Sequence, residues 1–327
     1  VGDEGSVFLS FSAVNPNAAQ PAPHDRKVST YLALSTDDGA NWRVLNSPVN
    51  SSVNIKTNRG IASWQHEVSS LAYDAQGNGE AVWRLMSHHY PLIKGRRRFE
   101  HGWIALKSAS SFEGLTQAPE IKLFVGKAYR ELDNQPIAGS AVLELDRLHK
   151  DLARCVAFTE PGLLAFDQSL YLALNCAEIG FPWRVRPKVV LLACDRPCNP
   201  ERPESWRYIS TLLSISDAQK HQYKYYSAPD FIVADDGKFL VATPVSNNPF
   251  KDAYNGCDIF RFDDLAKGRL VQENGRAKRF LRLEGLPASF NGACAVNNNP
   301  ALTLLSQLRV IDGRAYFDIL FQATDFK

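Results

Sequence analysis

The amino-acid sequence predicts an all-β fold, on the strength of two observations. Apolar residues rarely recur at the three- and four-residue spacing of a helix. Instead, short runs rich in β-branched and aromatic residues alternate with turns rich in Gly, Pro, Asn and Asp, as in strands joined by hairpins. With 327 residues, of which 45% are hydrophobic, the chain is long enough to bury a large core.

The strand-like runs recur along the chain, and this repeat indicates the architecture. Five strong runs begin at residues 6, 80, 169, 238 and 315, so their starts lie 74, 89, 69 and 77 residues apart. Each repeat has room for about four strands, and a four-stranded sheet needs neighbouring sheets to cover its faces. We therefore expect a single β-propeller domain over residues 1–327 with five blades, while loops of unequal length leave four and six open.

Two segments stand out from the repeat. Residues 141–154 carry Leu at helical spacing, which predicts a surface or linking helix. The basic run at residues 94–98 fits either a solvated hairpin tip or a contact for an anionic ligand.

The charge and hydropathy patterns exclude some classes of function. Lys and Arg number 37 against 35 acidic residues, so the net charge of +2 does not favour nucleic acid as a partner. No window of about 18 apolar residues occurs, so no segment of the chain is expected to span a membrane as a helix. We expect a monomer.

The six cysteines match no zinc-binding spacing, and their even number predicts three disulfides. The expected pairs are Cys194–Cys198, Cys155–Cys176 and Cys257–Cys294. The sequence begins with neither Met nor an apolar targeting run. Together with the expected disulfides, this predicts a mature secreted protein, extracellular or periplasmic. A cytoplasmic protein with reduced thiols is the alternative.

A turn near the N-terminus combines Ser35, Asp37, Gly39 and Trp42. Asp37 is expected to accept hydrogen bonds from backbone amides of its own turn, Gly39 to adopt positive φ, and Trp42 to fold over the hairpin. This pattern resembles the Asp-box of sialidases and other propeller proteins. The resemblance implies a fold and a position on the outer rim, and it implies no reaction.

Three successive repeats each place one carboxylate shortly before a strand hairpin. These residues are Glu67, Glu160 and Asp230. If the inner strands of a propeller bring them to a central channel, they supply the pair that glycoside hydrolysis requires: an acid for the leaving oxygen and a base or nucleophile. The side chains expected to contact a sugar lie near them in the sequence: Trp64, His66, His88, Trp183, Tyr226 and Asn291.

Residues 159–174 and 227–242 resemble the strand–turn repeats of five-bladed propeller glycoside hydrolases of the arabinanase, β-xylosidase and β-fructosidase type. The resemblance implies that a base or nucleophile, a pKa-modulating acid and a general acid come from successive blades. On this basis we assign Glu160 as the general acid and Glu67 or Asp230 as the base or nucleophile. Those enzymes usually carry an acid in the first blade, where this chain offers only Asp3 and Glu4. Sialidases are a more distant resemblance, because no Arg-Ile-Pro sequence occurs.

Two functions therefore remain open. The carboxylates and aromatic residues favour cleavage or transfer of a glycosidic bond in an oligo- or polysaccharide. The missing first-blade acid favours a non-catalytic propeller that binds a glycan or a protein partner. No cofactor and no metal site are expected, since adjacent strand residues such as His88 and His89 face opposite sides. A structural calcium ion in the channel stays an option.

Overall fold

The computed structural model describes residues 6–14, 28–50, 53–134, 143–180, 184–246, 254, 256–284, 290–296, 302–311 and 314–323. Within these ranges the chain is built mostly from antiparallel strands, with one short α-helix, α1 (Ile215–Lys220), and several single 3-10 turns. The chain divides into two compact units. The first comprises Val1–Tyr171 and Ala193–Arg207, and the second Leu172–Leu192 and Tyr208–Lys327.

Ten strands precede residue 145. They are β1 (Val7–Val14), β2 (Val28–Ser35), β3 (Arg43–Val44), β4 (Asn54–Thr57), β5 (Gly60–Asp74), β6 (Val82–Ile93), β7 (Arg96–Arg97), β8 (Trp103–Ala109), β9 (Ile121–Val125) and β10 (Leu143–Glu144). The first three form a sheet in the order β1–β2–β3. The others form a seven-stranded sheet in the order β10–β9–β8–β6–β5–β4, with β7 also paired to β6.

Fourteen further strands are described. They are β11 (Cys155–Phe166), β12 (Ser169–Gly180), β13 (Arg184–Asp195), β14 (Arg207–Leu213), β15 (Tyr223–Ala234), β16 (Gly237–Ser246), β17 (Cys257–Asp264), β18 (Arg269–Leu270), β19 (Gln272–Glu273), β20 (Arg276–Ala277), β21 (Arg279–Leu283), β22 (Phe290–Val296), β23 (Leu302–Ile311) and β24 (Arg314–Ala323). Three sheets follow the chain in order: β11–β12–β13–β14, then β15–β16–β17–β18 with β21 also on β17, then β22–β23–β24. Strands β19 and β20 form a separate hairpin.

This succession of sheets, each built from strands close in sequence, confirms the predicted all-β propeller class. The runs that begin at residues 80, 169 and 238 coincide with β6, β12 and β16, and each follows a long strand of its own sheet. The run that begins at residue 315 lies in β24, the third strand of its sheet. The last repeat is therefore offset by one strand from the others.

The helix predicted at residues 141–154 is wrong over the described part, residues 143–154. That part holds β10 and two 3-10 turns, Leu145–Arg147 and Lys150–Leu152. Strand β10 pairs in parallel with β9, and the His149 side chain accepts a hydrogen bond from the backbone N–H of Asp151 at the start of the second turn. Strand pairing and local capping outweigh the helical spacing of the leucines.

Strand β6 is buried along nearly its whole length, because other elements cover both of its faces. Trp83 and Leu85 pack in an apolar cluster with Leu32 of β2 and Phe112. Farther along the same sheet, a second cluster includes Trp64, Ile93, Trp103 and Val125. In the second unit, Ile232, Phe239, Val241 and Ile259 form a separate core.

A buried ion pair ties the β5–β6 hairpin together. The Asp74 carboxylate accepts a hydrogen bond from Arg84 Nε at 3.0 Å, and both side chains are at most 4% exposed. Arg196 also donates to Asp74. A buried carboxylate is stable only when such partners offset its desolvation, so this cluster is a structural element of the first unit.

Arg196 lies in a loop closed by the predicted disulfide Cys194–Cys198, which is confirmed. Arg196 Nη1 additionally donates to Gln76 Oε1 and to the carbonyl of Asp167, both at 2.9 Å. Cys155, Cys176 and Cys257 are also disulfide-bonded, whereas the Cys294 side chain lies outside the described residues. The pairs Cys155–Cys176 and Cys257–Cys294 stay predictions.

The turn between β2 and β3 has the local geometry expected for it. Asp37 accepts hydrogen bonds from Asn41 through the backbone N–H at 2.8 Å and the side-chain amide at 2.7 Å, and Ser35 Oγ donates to Asp37 Oδ1 at 2.7 Å. Gly39 adopts φ 89°, as predicted. These hydrogen bonds, those to Asn41 above all, lower the pKa of Asp37 to about 2.

The basic run at residues 94–98 follows the end of β6. Lys94 and Gly95 form a tight turn with φ of 51° and 70°, and residues 94–97 are exposed. This placement agrees with a solvated hairpin tip. Among the described residues, no helix is long and apolar enough to cross a bilayer.

Replacing Asp74 by Asn is expected to lower the free energy of unfolding by about 3–5 kcal/mol, because it leaves Arg84 buried without an anionic partner. Glu113→Gln is the matched control, since Glu113 pairs with Arg43 at 3.4 Å where both side chains are more than half exposed. That change is expected to cost less than about 1 kcal/mol. Urea-induced unfolding of the two variants tests the contrast, and equal losses would contradict it.

Asp37→Asn is expected to flatten the acid limb of the stability profile. Because the folded-state pKa of Asp37, about 2, is below the ordinary aspartate value of 3.8, the carboxylate stabilises the fold above about pH 4. This contribution is lost as the pH falls towards 2. Unfolding free energies measured between pH 2 and 6 should therefore fall more steeply for the unaltered protein than for Asp37→Asn, and parallel profiles would refute the assignment.

Candidate functional site

The first long strands of four sheets share an irregularity at a similar place. Val68 in β5, Glu160 in β11 and Ala228 in β15 have φ of 44°, 53° and 44°, a region that residues with a β-carbon rarely occupy. In β5 and β15 the pairing register shifts at these positions, and β22 has a register shift between Asn291 and Cys294. A recurring bulge of this kind turns side chains away from simple alternation.

The three predicted carboxylates lie at these irregularities but not at one equivalent position. Glu67 immediately precedes the positive-φ residue of β5, and Glu160 is itself that residue in β11. Asp230 follows the positive-φ residue of β15 by two positions, and its Oδ1 accepts a hydrogen bond from the backbone N–H of Phe231 at 3.0 Å. The three acids therefore lie near irregularities of their strands at different offsets, and their catalytic role stays a prediction.

A direct hydrogen bond links β5 to β11 within the first unit. The backbone N–H of Leu163 donates to Ser70 Oγ at 2.8 Å, in a buried environment. Glu67 lies three residues before Ser70, and Glu160 lies three residues before Leu163. The bond therefore joins the two acid-bearing strands at the same distance, three residues, from each acid. Both carboxylates are partly exposed.

In the second unit, a comparable contact holds the bulge of β15. Asn175 Nδ2 of β12 donates to Ser227 Oγ at 2.9 Å, and both residues are buried. Asp230 follows Ser227 by three residues and is partly exposed.

The predicted sugar platforms Trp64 and Tyr226 are corrected by the structure. Trp64 is fully buried and packs on Trp103 with ring centroids 4.5 Å apart. Tyr226 is 2% exposed, and its hydroxyl donates to Asp258 Oδ2 at 2.7 Å. Burial, with the Asp258 carboxylate, raises the pKa of Tyr226. A sugar ring needs an open aromatic face, which neither side chain presents, so both residues serve the core.

Asp258 is fully buried and belongs to a charged cluster of the second unit. Besides the Tyr226 hydroxyl, it accepts hydrogen bonds from Arg282 Nη1 at 3.1 Å and Arg279 Nη1 at 3.3 Å. The two guanidinium groups offset the cost of burying the carboxylate. The sequence pattern did not reveal this cluster because its members come from three strands, β15, β17 and β21.

His88 is also corrected as a sugar-contacting residue. It is 3% exposed, packs against Tyr90 and Phe99, and lies opposite Glu67 in the β5–β6 pairing. Burial, reinforced by His89 and Arg97, lowers the pKa of His88 to about 3. Trp183 lies outside the described residues. Asn291 lies in β22 opposite Gln307, but its side chain is outside the described part.

The sequence reading missed a histidine–carboxylate cluster in the first unit. His66 and His89 are directly opposite in the β5–β6 pairing, and their rings meet edge to face with centroids 4.3 Å apart. His89 Nε2 lies 3.4 Å from Glu120 Oε2, just before β9. One ligand atom from each of the three residues lies within 4.8 Å of the others. The sequence pattern did not connect these three residues, and the expectation of no metal site stays a prediction.

Burial sets the electrostatics of this cluster. It lowers the pKa of His89 to about 3, with a further contribution from Lys107, and it raises the pKa of Glu120. Lys107 Nζ donates to the carbonyl of Val49 at 2.8 Å. The Asn50 side-chain amide, oriented to satisfy its neighbours, donates to Glu120 Oε2 at 3.0 Å. Two imidazoles beside a partly buried carboxylate form a donor set suited to a metal ion.

Comparison with known proteins relates this chain to others through fold. No family model matches the sequence, and no curated protein matches it. A candidate glycoside hydrolase from Parabacteroides distasonis is similar over 100% of this chain and 86% of its own, with 12% identity and a TM-score of 0.53.

Two further solved structures are similar at lower scores. A thermostable family-43 glycoside hydrolase matches 86% of this chain and 73% of its own, with 13% identity and a TM-score of 0.47. An α-L-arabinofuranosidase from Lactobacillus brevis matches 82% and 72%, with 13% identity and a TM-score of 0.44. At such identities the likeness concerns fold alone, and the P. distasonis protein, above a TM-score of 0.5, carries it.

Ser70→Ala is expected to lower the free energy of unfolding by about 1–3 kcal/mol, because the buried N–H of Leu163 loses its acceptor. Its neighbour provides the matched control. Ser69 Oγ is buried and has no hydrogen-bond partner among the described residues, so Ser69→Ala should be neutral or stabilising. Thermal and urea unfolding test the difference; a larger loss for Ser69→Ala would contradict the contact.

Proposed function

We propose that this protein is a secreted, glycoside hydrolase-like propeller that cleaves or transfers glycosidic bonds in an oligo- or polysaccharide. The observation that carries the proposal is the Ser70–Leu163 hydrogen bond, which joins the strands of Glu67 and Glu160 at equal offsets from the two acids. The fold shared with the P. distasonis protein, itself described as a candidate glycoside hydrolase, supports the same class.

In the proposed reaction, Glu160 in its protonated form donates a proton to the glycosidic oxygen as the bond to the anomeric carbon breaks. Glu67 or Asp230, as a carboxylate, either attacks the anomeric carbon or removes a proton from an attacking water. The separation of the two carboxyl groups decides between these routes: about 5 Å gives retention and roughly 6.5–9.5 Å gives inversion. The anomeric configuration of the first product identifies the route.

Backbone strain at Glu160 supports its role as a reacting group. A glutamate at φ 53° has an unfavourable backbone conformation that the surrounding sheet must maintain, and such positions cluster at functional sites. Five blades remain our proposal, supported by five sheets of three or more strands among the described residues. Secretion remains part of the proposal, supported by the Cys194–Cys198 disulfide.

One observation favours the second candidate, a non-catalytic propeller that binds a glycan or protein. Glu67, Glu160 and Asp230 lie one residue before, at, and two residues after the positive-φ positions of their strands. Side chains displaced in this way need not converge as a catalytic set requires. A binding face tolerates such a spread.

The decisive experiment compares Glu160→Gln with the unaltered protein on oligosaccharides and on aryl and alkyl glycosides of arabinofuranose, xylose and fructose. Loss of the acid should lower turnover of alkyl glycosides by about 10²–10⁴-fold, with a smaller loss for aryl glycosides, whose leaving groups need less protonation. Glu67→Gln or Asp230→Asn, whichever removes the base or nucleophile, should impair both substrate types equally.

Glu80→Gln, in the exposed turn before β6, is the control and should leave turnover unchanged. Unaltered turnover in Glu160→Gln would refute the acid assignment. Absence of hydrolysis on the whole panel, with retained binding on a glycan array, would establish the binding function instead.

A further inference from the structure

We propose that His66, His89 and Glu120 form a binding site for a divalent transition metal ion, with zinc as the best-fitting ion. The site lies within the first unit and goes beyond the proposed glycosidase chemistry, because none of its three residues belongs to the carboxylate set. It would connect β5, β6 and the segment that enters β9.

The positions of the donor atoms support the proposal. Tetrahedral zinc with bonds of about 2.1 Å places its ligands about 3.4 Å apart. His89 Nε2 and Glu120 Oε2 already lie 3.4 Å apart, and all three ligand atoms lie within 4.8 Å of one another. Strand pairing holds His66 and His89 opposite each other, so their side chains extend from neighbouring backbone positions.

The two ring nitrogens of His89 have different surroundings. A metal-bound imidazole commonly binds the ion through one nitrogen and hydrogen-bonds through the other, which fixes its orientation. The Ser87 hydroxyl lies 2.8 Å from His89 Nε2, while His89 Nδ1 is buried and has no hydrogen-bond partner among the described residues. Nε2 thus faces both Ser87 and Glu120, and an ion bound at Nε2 would take the place of the Ser87 contact.

The neighbouring groups hold the carboxylate in place and leave access to it. Asn50 donates to Glu120 Oε2, and the Glu120 side chain is 18% exposed, whereas His89 is fully buried. An ion can therefore reach the cluster from the Glu120 side. The positive charge of Lys107 opposes the binding of a metal ion. Its amino group is held by a hydrogen bond that it donates to the Val49 carbonyl.

The donor set selects among metal ions. Two imidazoles and one carboxylate suit zinc, cobalt or nickel, whereas calcium and magnesium prefer oxygen ligands throughout. Three protein ligands also leave a fourth tetrahedral position for water or another small ligand. Zinc should therefore bind in preference to calcium, which distinguishes this site from a structural calcium ion of the channel.

The test uses the full chain without a polyhistidine tag, stripped with a chelator and titrated with zinc chloride in a calorimeter. We expect one equivalent of zinc per chain, no comparable binding of calcium chloride, and visible ligand-field absorption when cobalt chloride replaces zinc. Glu120→Gln and His66→Gln should each weaken zinc binding at least tenfold. His88→Gln is the matched control, because His88 is equally buried in the same strand but faces the other side.

Three results would overturn the proposal: no stoichiometric zinc binding by the folded protein, equal affinity for calcium, or equal weakening by His88→Gln and Glu120→Gln. Circular dichroism of every variant identifies those that fail to fold. If a variant does not fold, the cobalt spectrum of the unaltered protein decides, since absorption typical of octahedral aqueous cobalt would exclude a tetrahedral site with imidazole ligands.

Discussion

Burial of strand β6 on both faces is the constraint on which the first unit depends. A strand covered on both sides cannot place its polar residues towards water, so any hydrogen-bond partner has to come from inside the protein. Arg84 pairs with Asp74, and Ser87 contacts His89. The polar chemistry of this unit is thus concentrated along a buried strand rather than on exposed loops.

The second recurring feature is the positive-φ position in the first long strands. It interrupts the alternation of side chains between the two faces of the strand close to Glu67, Glu160 and Asp230. Such a bulge changes the direction in which a side chain points. Because Ser70 and Ser227 form buried hydrogen bonds beside two of these positions, the irregular backbone is supported by specific contacts. The same feature would suit a catalytic or a binding face. Only a measurement of glycoside turnover can therefore distinguish the two functions.

The sequence predicted the fold class better than the site. The recurrence of strands and the turn at Asp37 depend on local residue order, so both could be predicted without the structure. The His66–His89–Glu120 cluster depends on which residue of β5 lies opposite which residue of β6, and a one-residue bulge at Val68 changes that register. Likewise, the aromatic residues near the acids looked like sugar platforms, yet tertiary packing buried Trp64 and Tyr226 completely or nearly so.

The small loop between Cys194 and Cys198 has an energetic consequence for the buried Asp74. Arg196 reaches this carboxylate from within a covalently closed ring, so few alternative conformations are lost when the contact forms. The positive charge of Arg196 beside Asp74 therefore comes from a residue whose backbone is already constrained by the disulfide. In a reducing environment the opened loop would gain conformational freedom, and Arg196 would be held less firmly against Asp74, while Arg84 would keep its own contact.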